Sequence, residues 1–107
     1  MPTYLLSHRH PTDYHFVRDA NTAAAWTQWF EQLGGAIVDL GNPVFTREPV
    51  GECDRETMRG GYTLVEASDM TEALVFACSC PLIGDGGGIE VGELTPVPGR
   101  QHLARVF

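Results

Sequence analysis

The order in which strand-like and helix-like segments follow one another is the feature that most restricts how this chain can fold. Two segments carry apolar residues at the spacing of one helix face, and each lies between short apolar runs that are typical of strands. The predicted strands are TYLL (Thr3–Leu6), AIVDL (Ala36–Leu40), GYTLVEA (Gly61–Ala67) and GIEVGEL (Gly88–Leu94), and the predicted helices are TAAAWTQWFEQLGG and SDMTEALVFACSC. The order is therefore strand, helix, strand, strand, helix, strand.

This order is that of the ferredoxin-like βαββαβ fold. It predicts an α+β protein with one four-stranded antiparallel sheet and both helices on one face of that sheet. The other face would expose apolar residues such as Tyr62, Leu64 and Val91, or their alternates, unless a second copy covers it, so the pattern predicts a homodimer. The 107 residues are enough for a single domain; residues 3–97 are its predicted core and 98–107 a C-terminal tail.

Capping and turn residues predict where the elements end. Asn21 or Thr22 is suited to cap the first helix, and the Gly34–Gly35 pair is suited to end it. Asp69, three residues before Glu72, has the spacing of a capping box at the start of the second helix. Spacing predicts that this helix buries Met70, Ala73, Leu74, Ala77 and Cys78.

The stretch ACSCPLIGDGGG, residues 77–88, has several possible interpretations: a metal or redox site, a phosphate loop, or a helix end and turn. Cys78 and Cys80 are two residues apart, which would point their thiols in opposite directions on a helix, so no metal site is predicted. Phosphate loops precede a helix, whereas these glycines follow one. We therefore expect Pro81 to stop the helix and the glycines to form a turn, with a positive φ at Gly87.

Composition excludes several classes of partner. Seven basic residues among fourteen acidic ones give a net charge of −7, which argues against nucleic-acid binding and against an anionic membrane surface. No apolar run approaches the ~20 residues that span a bilayer. The start, MPTYLLSHRHP, lacks the apolar core of a signal peptide, so a cytoplasmic protein is expected.

Three histidines follow the first predicted strand: His8, His10 and His15. His8 or His10 could face a pocket and act as a catalytic acid or base, because imidazole does both near neutral pH. His8 and His10 could instead bind a metal with Asp13 or His15. The simplest interpretation is a solvated loop that carries three histidines. We treat His8 and His10 as the candidate catalytic residues, with no metal or cofactor.

Two further residues are candidates for ligand binding. Trp26 and Trp29 could form an aromatic pocket wall, although the place of both on the apolar stripe of the first helix favours a core position. We take Trp29 as the candidate. Asn42, beside Pro43 at the end of the second strand, could orient a ligand near the first loop.

The second half carries a series of motifs in a fixed order: the strand GYTLVEA, the helix start DMTEA (Asp69–Ala73), Cys80-Pro81, a glycine turn and IEVGEL. In these motifs the chain resembles the YCII-related family. The first half, with YLLSHRH and AWTQWFEQLGGAIVDLGNP, is similar to one branch, so the resemblance covers about residues 3–97. It implies the dimeric α+β barrel form of the ferredoxin-like fold. Some members have a proposed histidine–aspartate catalytic pair, but here Cys80 stands before Pro81 in place of the aspartate, so that pair is not carried over.

These observations favour a homodimer that binds a small organic molecule and performs a cofactor-independent acid–base step. Two alternatives remain at this point: a non-catalytic interaction or regulatory module, and a monooxygenase-like enzyme of the same barrel type, which rests on fold analogy alone. An enzyme requires His8 or His10 to face inward beside a second polar group, in a cavity of ~300 Å³ or more.

Overall fold

The computed structural model describes residues 1–13 and 19–97, with only the backbone of Asp85. Its strands are β1 (Thr3–Pro11), β2 (Ile37–Asp39), β3 (Thr57–Glu66) and β4 (Gly88–Glu93), and its helices are α1 (Ala20–Leu33) and α2 (Met70–Cys78). Short 3-10 turns, Gly34–Ala36 and Pro81–Asp85, follow the two helices. The tail from residue 98 and His15 lie outside the described residues.

The four strands form one sheet in the order β2-β3-β1-β4, and every neighbouring pair is antiparallel. This is the ferredoxin-like arrangement that the segment order predicted. Leu6 of β1 lies between Thr63 of β3 and Val91 of β4, and side chains at paired positions share a face. Val91 therefore faces the helices with Leu6, whereas Tyr62 and Leu64 lie on the opposite face. The prediction that placed Val91 beside Tyr62 and Leu64 is wrong.

The core lies between the sheet and both helices, as predicted. Its buried apolar residues come from the strands (Tyr4, Leu6, Val65), from the helices (Trp29, Leu33, Ala73, Ala77) and from flanking segments (Ala67, Cys80, Leu82). Trp29 is the largest of them, and its indole Nε1 donates a hydrogen bond to the carbonyl oxygen of Phe76 at 2.9 Å. This bond joins α1 to the last turn of α2. No helix in the described ranges is long and apolar enough to cross a membrane.

The apolar stripe predicted for α2 is correct only in part. Ala73 and Ala77 are buried, but Met70, Leu74 and Cys78 are exposed. The helix is apolar around most of its circumference, as the sequence ALVFAC shows. Residue spacing therefore did not identify the face that packs against the sheet.

Carboxylates cap both helices. Asp19 caps α1, because its Oδ1 accepts a hydrogen bond from the backbone N–H of Thr22 at 2.7 Å. The prediction of Asn21 or Thr22 is wrong, since both already lie in the first helical turn. Asp69 caps α2 as predicted, and its Oδ1 accepts from the N–H of Glu72 at 2.9 Å.

The segment after α2 is a helix stop and a turn, as predicted. The helix ends at Cys78, Pro81 begins the 3-10 turn, and β4 starts at Gly88. The positive φ is at Gly86, where it is 82°, and not at Gly87. Gly87 is needed for space instead, because a Cβ there would lie 2.9 Å from the carbonyl oxygen of Arg9.

Candidate functional site

β1 is longer than the sequence predicted, and its extra length places two histidines inside the fold. The strand continues past Leu6 to Pro11 and pairs with β3 along its whole length. Because side chains alternate along a strand, His8 and His10 follow Leu6 on the face that points to the helices. Their exposed fractions are 8% and 7%. For these two histidines, the interpretation as a solvated loop is wrong.

A cleft of about 820 Å³ opens beside the histidines. Its walls are β1, β3, one side of α1 and the segment 40–47. The apolar and aromatic lining residues are Ala20, Ala23, Trp26, Phe30, Leu40, Pro43, Val44, Phe45, Met58 and Tyr62, and the polar ones are His8, His10, Asp19, Thr22, Asn42 and Arg47. The volume and the mainly apolar lining are those of a small-molecule site.

His8 is held on two sides. Its Nε2 lies 3.3 Å from the hydroxyl oxygen of Thr63, which is fully buried. The ring centroid lies 5.2 Å from that of Trp26 and 6.0 Å from that of Trp29. Burial, with a smaller contribution from the charge of His10, lowers the pKa of His8 from 6.5 to about 4. His8 is therefore uncharged at neutral pH and can accept a hydrogen bond or a proton.

His10 is accommodated by a break in strand pairing. His8 pairs with Gly61 and Arg9 pairs with Arg59, so Gly60 is an extra residue on β3 that forms a β-bulge. A Cβ at Gly60 would overlap the ring atoms Cδ2 and Nε2 of His10. Burial and then the neighbouring charge of Arg47 lower the pKa of His10. The bulge glycine thus creates the space that the imidazole fills.

The two tryptophans of α1 have different roles. Trp29 is 1% exposed, belongs to the core and does not line the cleft. Trp26, one turn earlier, is half-buried and lines the cleft, as does Phe30. The predicted aromatic wall is present, but Trp26 supplies it in place of Trp29.

Polar groups of the segment 40–47 also line the cleft. Asn42 lines the cleft, and its Nδ2 donates to the hydroxyl of Tyr62 at 3.4 Å. The guanidinium of Arg47 donates to the carbonyl oxygens of Val44, at 2.8 Å, and Arg59, at 3.1 Å. Within residues 1–13 and 19–97, no carboxylate forms an ion pair with Arg47. The cleft therefore offers an amide and a cation along with two imidazoles.

The cysteines lie apart from the cleft. Cys80 is buried, and burial raises the pKa of its thiol to about 11, whereas Cys78 and Cys53 are exposed. In the described part of the chain, no three histidine, cysteine or acidic side chains are grouped as a metal site requires. His8 and His10 lie on one face of the strand, and His15 is outside the described residues.

Comparison with known proteins adds a structural relative. No family model matches this chain, and no curated protein sequence matches it. Among solved structures, the chain is similar to the 5-chloro-2-hydroxyhydroquinone dehydrochlorinase of Burkholderia phenoliruptrix AC1100, solved in complex with 2,5-dihydroxybenzoquinone. The similarity covers 89% of this chain and 95% of that one, with a TM-score of 0.56 and 19% sequence identity. At this identity, the similarity establishes a shared fold.

His8, His10 and Asn42, which were candidates from the sequence, line one cleft in the structure. Other residues of that cleft were not among the candidates. Trp26 was considered as a wall residue but not taken as a candidate, although it lies three residues before Trp29 on the same helix face. The Gly60–Gly61 pair was also a signal, since adjacent glycines in a strand mark a bulge or a close contact. Arg47 had none, because it lies in a loop whose path depends on tertiary structure.

Proposed function

We propose that this protein binds a small aromatic organic molecule in the cleft and moves a proton to or from it without a cofactor. The observation that carries the proposal is an uncharged, buried imidazole, His8, on the wall of a mainly apolar cavity of about 820 Å³. We also propose that the chain is a member of the YCII-related family and forms a homodimer.

The position of the histidines supports acid–base chemistry over a non-catalytic module. A module without chemistry would leave His8 and His10 in water, whereas both are buried, and His8 lies beside a second polar group, Thr63. A base must be within reach of the substrate and uncharged at the working pH. His8 meets the second condition because burial keeps its pKa low.

The lining residues support an aromatic ligand. Trp26 and Phe30 line the cleft with aromatic rings that can pack against a planar molecule, and such pairs are favourable beyond the area they bury. Asn42 and Arg47 can bind oxygen substituents on the ring. The structural relative was solved with a dihydroxybenzoquinone, which is a small oxygenated ring.

Titration calorimetry with a panel of phenols and hydroxylated quinones, 2,5-dihydroxybenzoquinone included, tests the binding proposal. Trp26→Ala and His8→Gln should each weaken binding of a panel compound about tenfold or more, whereas Gln28→Ala, on the exposed side of α1, should not. Exchange of carbon-bound ring hydrogens for deuterium, followed by NMR, tests proton transfer and should slow in His8→Gln. The proposal is wrong if no panel compound binds, or if the three variants bind equally.

A further inference from the structure

We propose that Thr63 fixes the tautomer of His8, so that Nδ1 is the atom that meets the ligand and the site selects ligands with a weakly acidic O–H. This inference rests on the proposed function for its ligand class, but its first part concerns hydrogen positions that can be measured in the protein alone.

The hydroxyl of Thr63 can donate in only one direction. Its Oγ1 lies 3.1 Å from the carbonyl oxygen of Leu40, which can only accept. The single hydroxyl hydrogen is therefore used in that bond. The lone pairs of the same oxygen then face Nε2 of His8 at 3.3 Å. Two acceptors facing each other would repel, so Nε2 must carry the hydrogen.

The hydrogen on Nε2 leaves a lone pair on Nδ1, because a neutral imidazole has one N–H. Gly61 lies next to this nitrogen: a Cβ at Gly61 would be 3.2 Å from Nδ1 and 3.1 Å from the carbonyl oxygen of Asn42. The missing Cβ of Gly61 thus leaves space next to Nδ1, and both His8 and Asn42 line the cleft. Thr63 is 0% exposed, so the bond that fixes the tautomer is shielded from solvent.

An accepting nitrogen in the cleft selects the chemistry of the ligand. A phenolic or enolic O–H can donate to Nδ1, and an ether of the same shape cannot. In a proton transfer, the O–H bond breaks, its electron pair stays on the ligand oxygen and its proton forms an N–H bond at Nδ1. His8 becomes an imidazolium that still donates from Nε2 to Thr63, and the ligand becomes an anion in a cleft that Arg47 also lines.

Nitrogen-15 NMR of the ligand-free protein tests the tautomer. We expect a protonated Nε2 and an unprotonated Nδ1 in the wild type and in Thr63→Ser, which keeps the hydroxyl. Thr63→Val, which has a similar shape but no hydroxyl, should show a mixture of tautomers. A wild type with its hydrogen on Nδ1 overturns the inference, and so does a Thr63→Val protein with the wild-type tautomer. If Thr63→Val does not fold, the wild-type spectrum can still overturn the inference by showing the hydrogen on Nδ1.

The ligand class is tested with 4-nitrophenol and 4-nitroanisole below the pKa of the phenol. The two probes differ by a hydrogen and a methyl group on one oxygen. The phenol should bind the wild type about tenfold more tightly, and Thr63→Val should reduce that preference. Equal binding of both probes overturns the ligand selection. If neither probe nor any panel compound binds, the proposed function is wrong, and the NMR result alone decides whether Thr63 fixes the tautomer.

Discussion

Four alternate residues of β1 connect the core to the candidate site. Tyr4 and Leu6 are 1% and 0% exposed and pack in the core, and His8 and His10 continue the same face into the wall of the cleft. Because side chains alternate between the two faces of a strand, all four side chains point toward the helices. His8 and His10 can be polar because a cleft lies at that end of the sheet. The strand also holds their imidazoles more rigidly than a loop would.

His8 should make stability depend on pH. Its pKa is 6.5 ordinarily and about 4 in the folded protein, so between these values the unfolded chain binds more protons. The free energy of unfolding should therefore fall as pH decreases from 6.5 to 4, by up to about 3 kcal/mol from His8. His10, whose pKa is also lowered, acts in the same direction. Urea denaturation across this pH range should show a flatter profile for His8→Gln, because glutamine does not titrate. Identical profiles for wild type and His8→Gln would contradict the assignment.

Substitution of the two tryptophans should separate stability from binding. Trp29→Ala removes a fully buried ring and its hydrogen bond to Phe76, and should lower the free energy of unfolding by about 3–5 kcal/mol. Trp26→Ala removes a half-buried ring from the cleft wall and should destabilise less, while it weakens binding of panel phenols. Chemical denaturation and calorimetry on both variants check this. A larger stability loss for Trp26→Ala would show that the two roles are assigned in the wrong order.

At the level of elements, the sequence predicted the order of strands and helices but not all of their extents. β1 was predicted too short because SHRHP is polar and contains proline. A central strand that borders a cleft can carry polar side chains, and Pro11 is at its end, where a missing N–H is tolerated. Capping of α2 was predictable from Asp69, since it uses neighbouring residues. The buried face of α2 was not, because apolar residues surround that helix and only packing selects among them.

The bulge in β3 supports the site and can be tested at Gly60. A Cβ at this position would overlap the ring of His10, so Gly60→Ala should displace that ring and destabilise the protein by about 1–3 kcal/mol. Gly35 is a matched control: its φ is not positive and a Cβ there meets nothing within 4 Å. Gly35→Ala should be neutral or slightly stabilising. Thermal unfolding compares the two, and the chemical shifts of His10 report its displacement. Equal melting temperatures and unchanged His10 shifts would show that the bulge is not needed.

For the whole molecule, the two faces of the sheet differ. The helices cover one face, and on the other Leu5, Tyr62 and Leu64 are only half-buried within residues 1–13 and 19–97. The fold class was predictable because it depends on element order, which local patterns reveal. What covers the second face depends on association, which a single sequence does not specify, so the homodimer stays a prediction.

That prediction can be tested with a charge on the uncovered face. Light scattering after gel filtration should give twice the chain mass of 11.7 kDa for the wild type. Leu64→Glu would bury a carboxylate between two sheets and should give the monomer mass, because burial of an unpaired charge is strongly unfavourable. Val75→Glu, at a residue 65% exposed on α2, is the matched control and should remain a dimer.

Since each chain carries a net charge of −7, added salt should strengthen association by screening the repulsion between the two copies. A wild type that is monomeric at micromolar concentration, or a dimer that only Val75→Glu dissociates, would rule out pairing through the sheets.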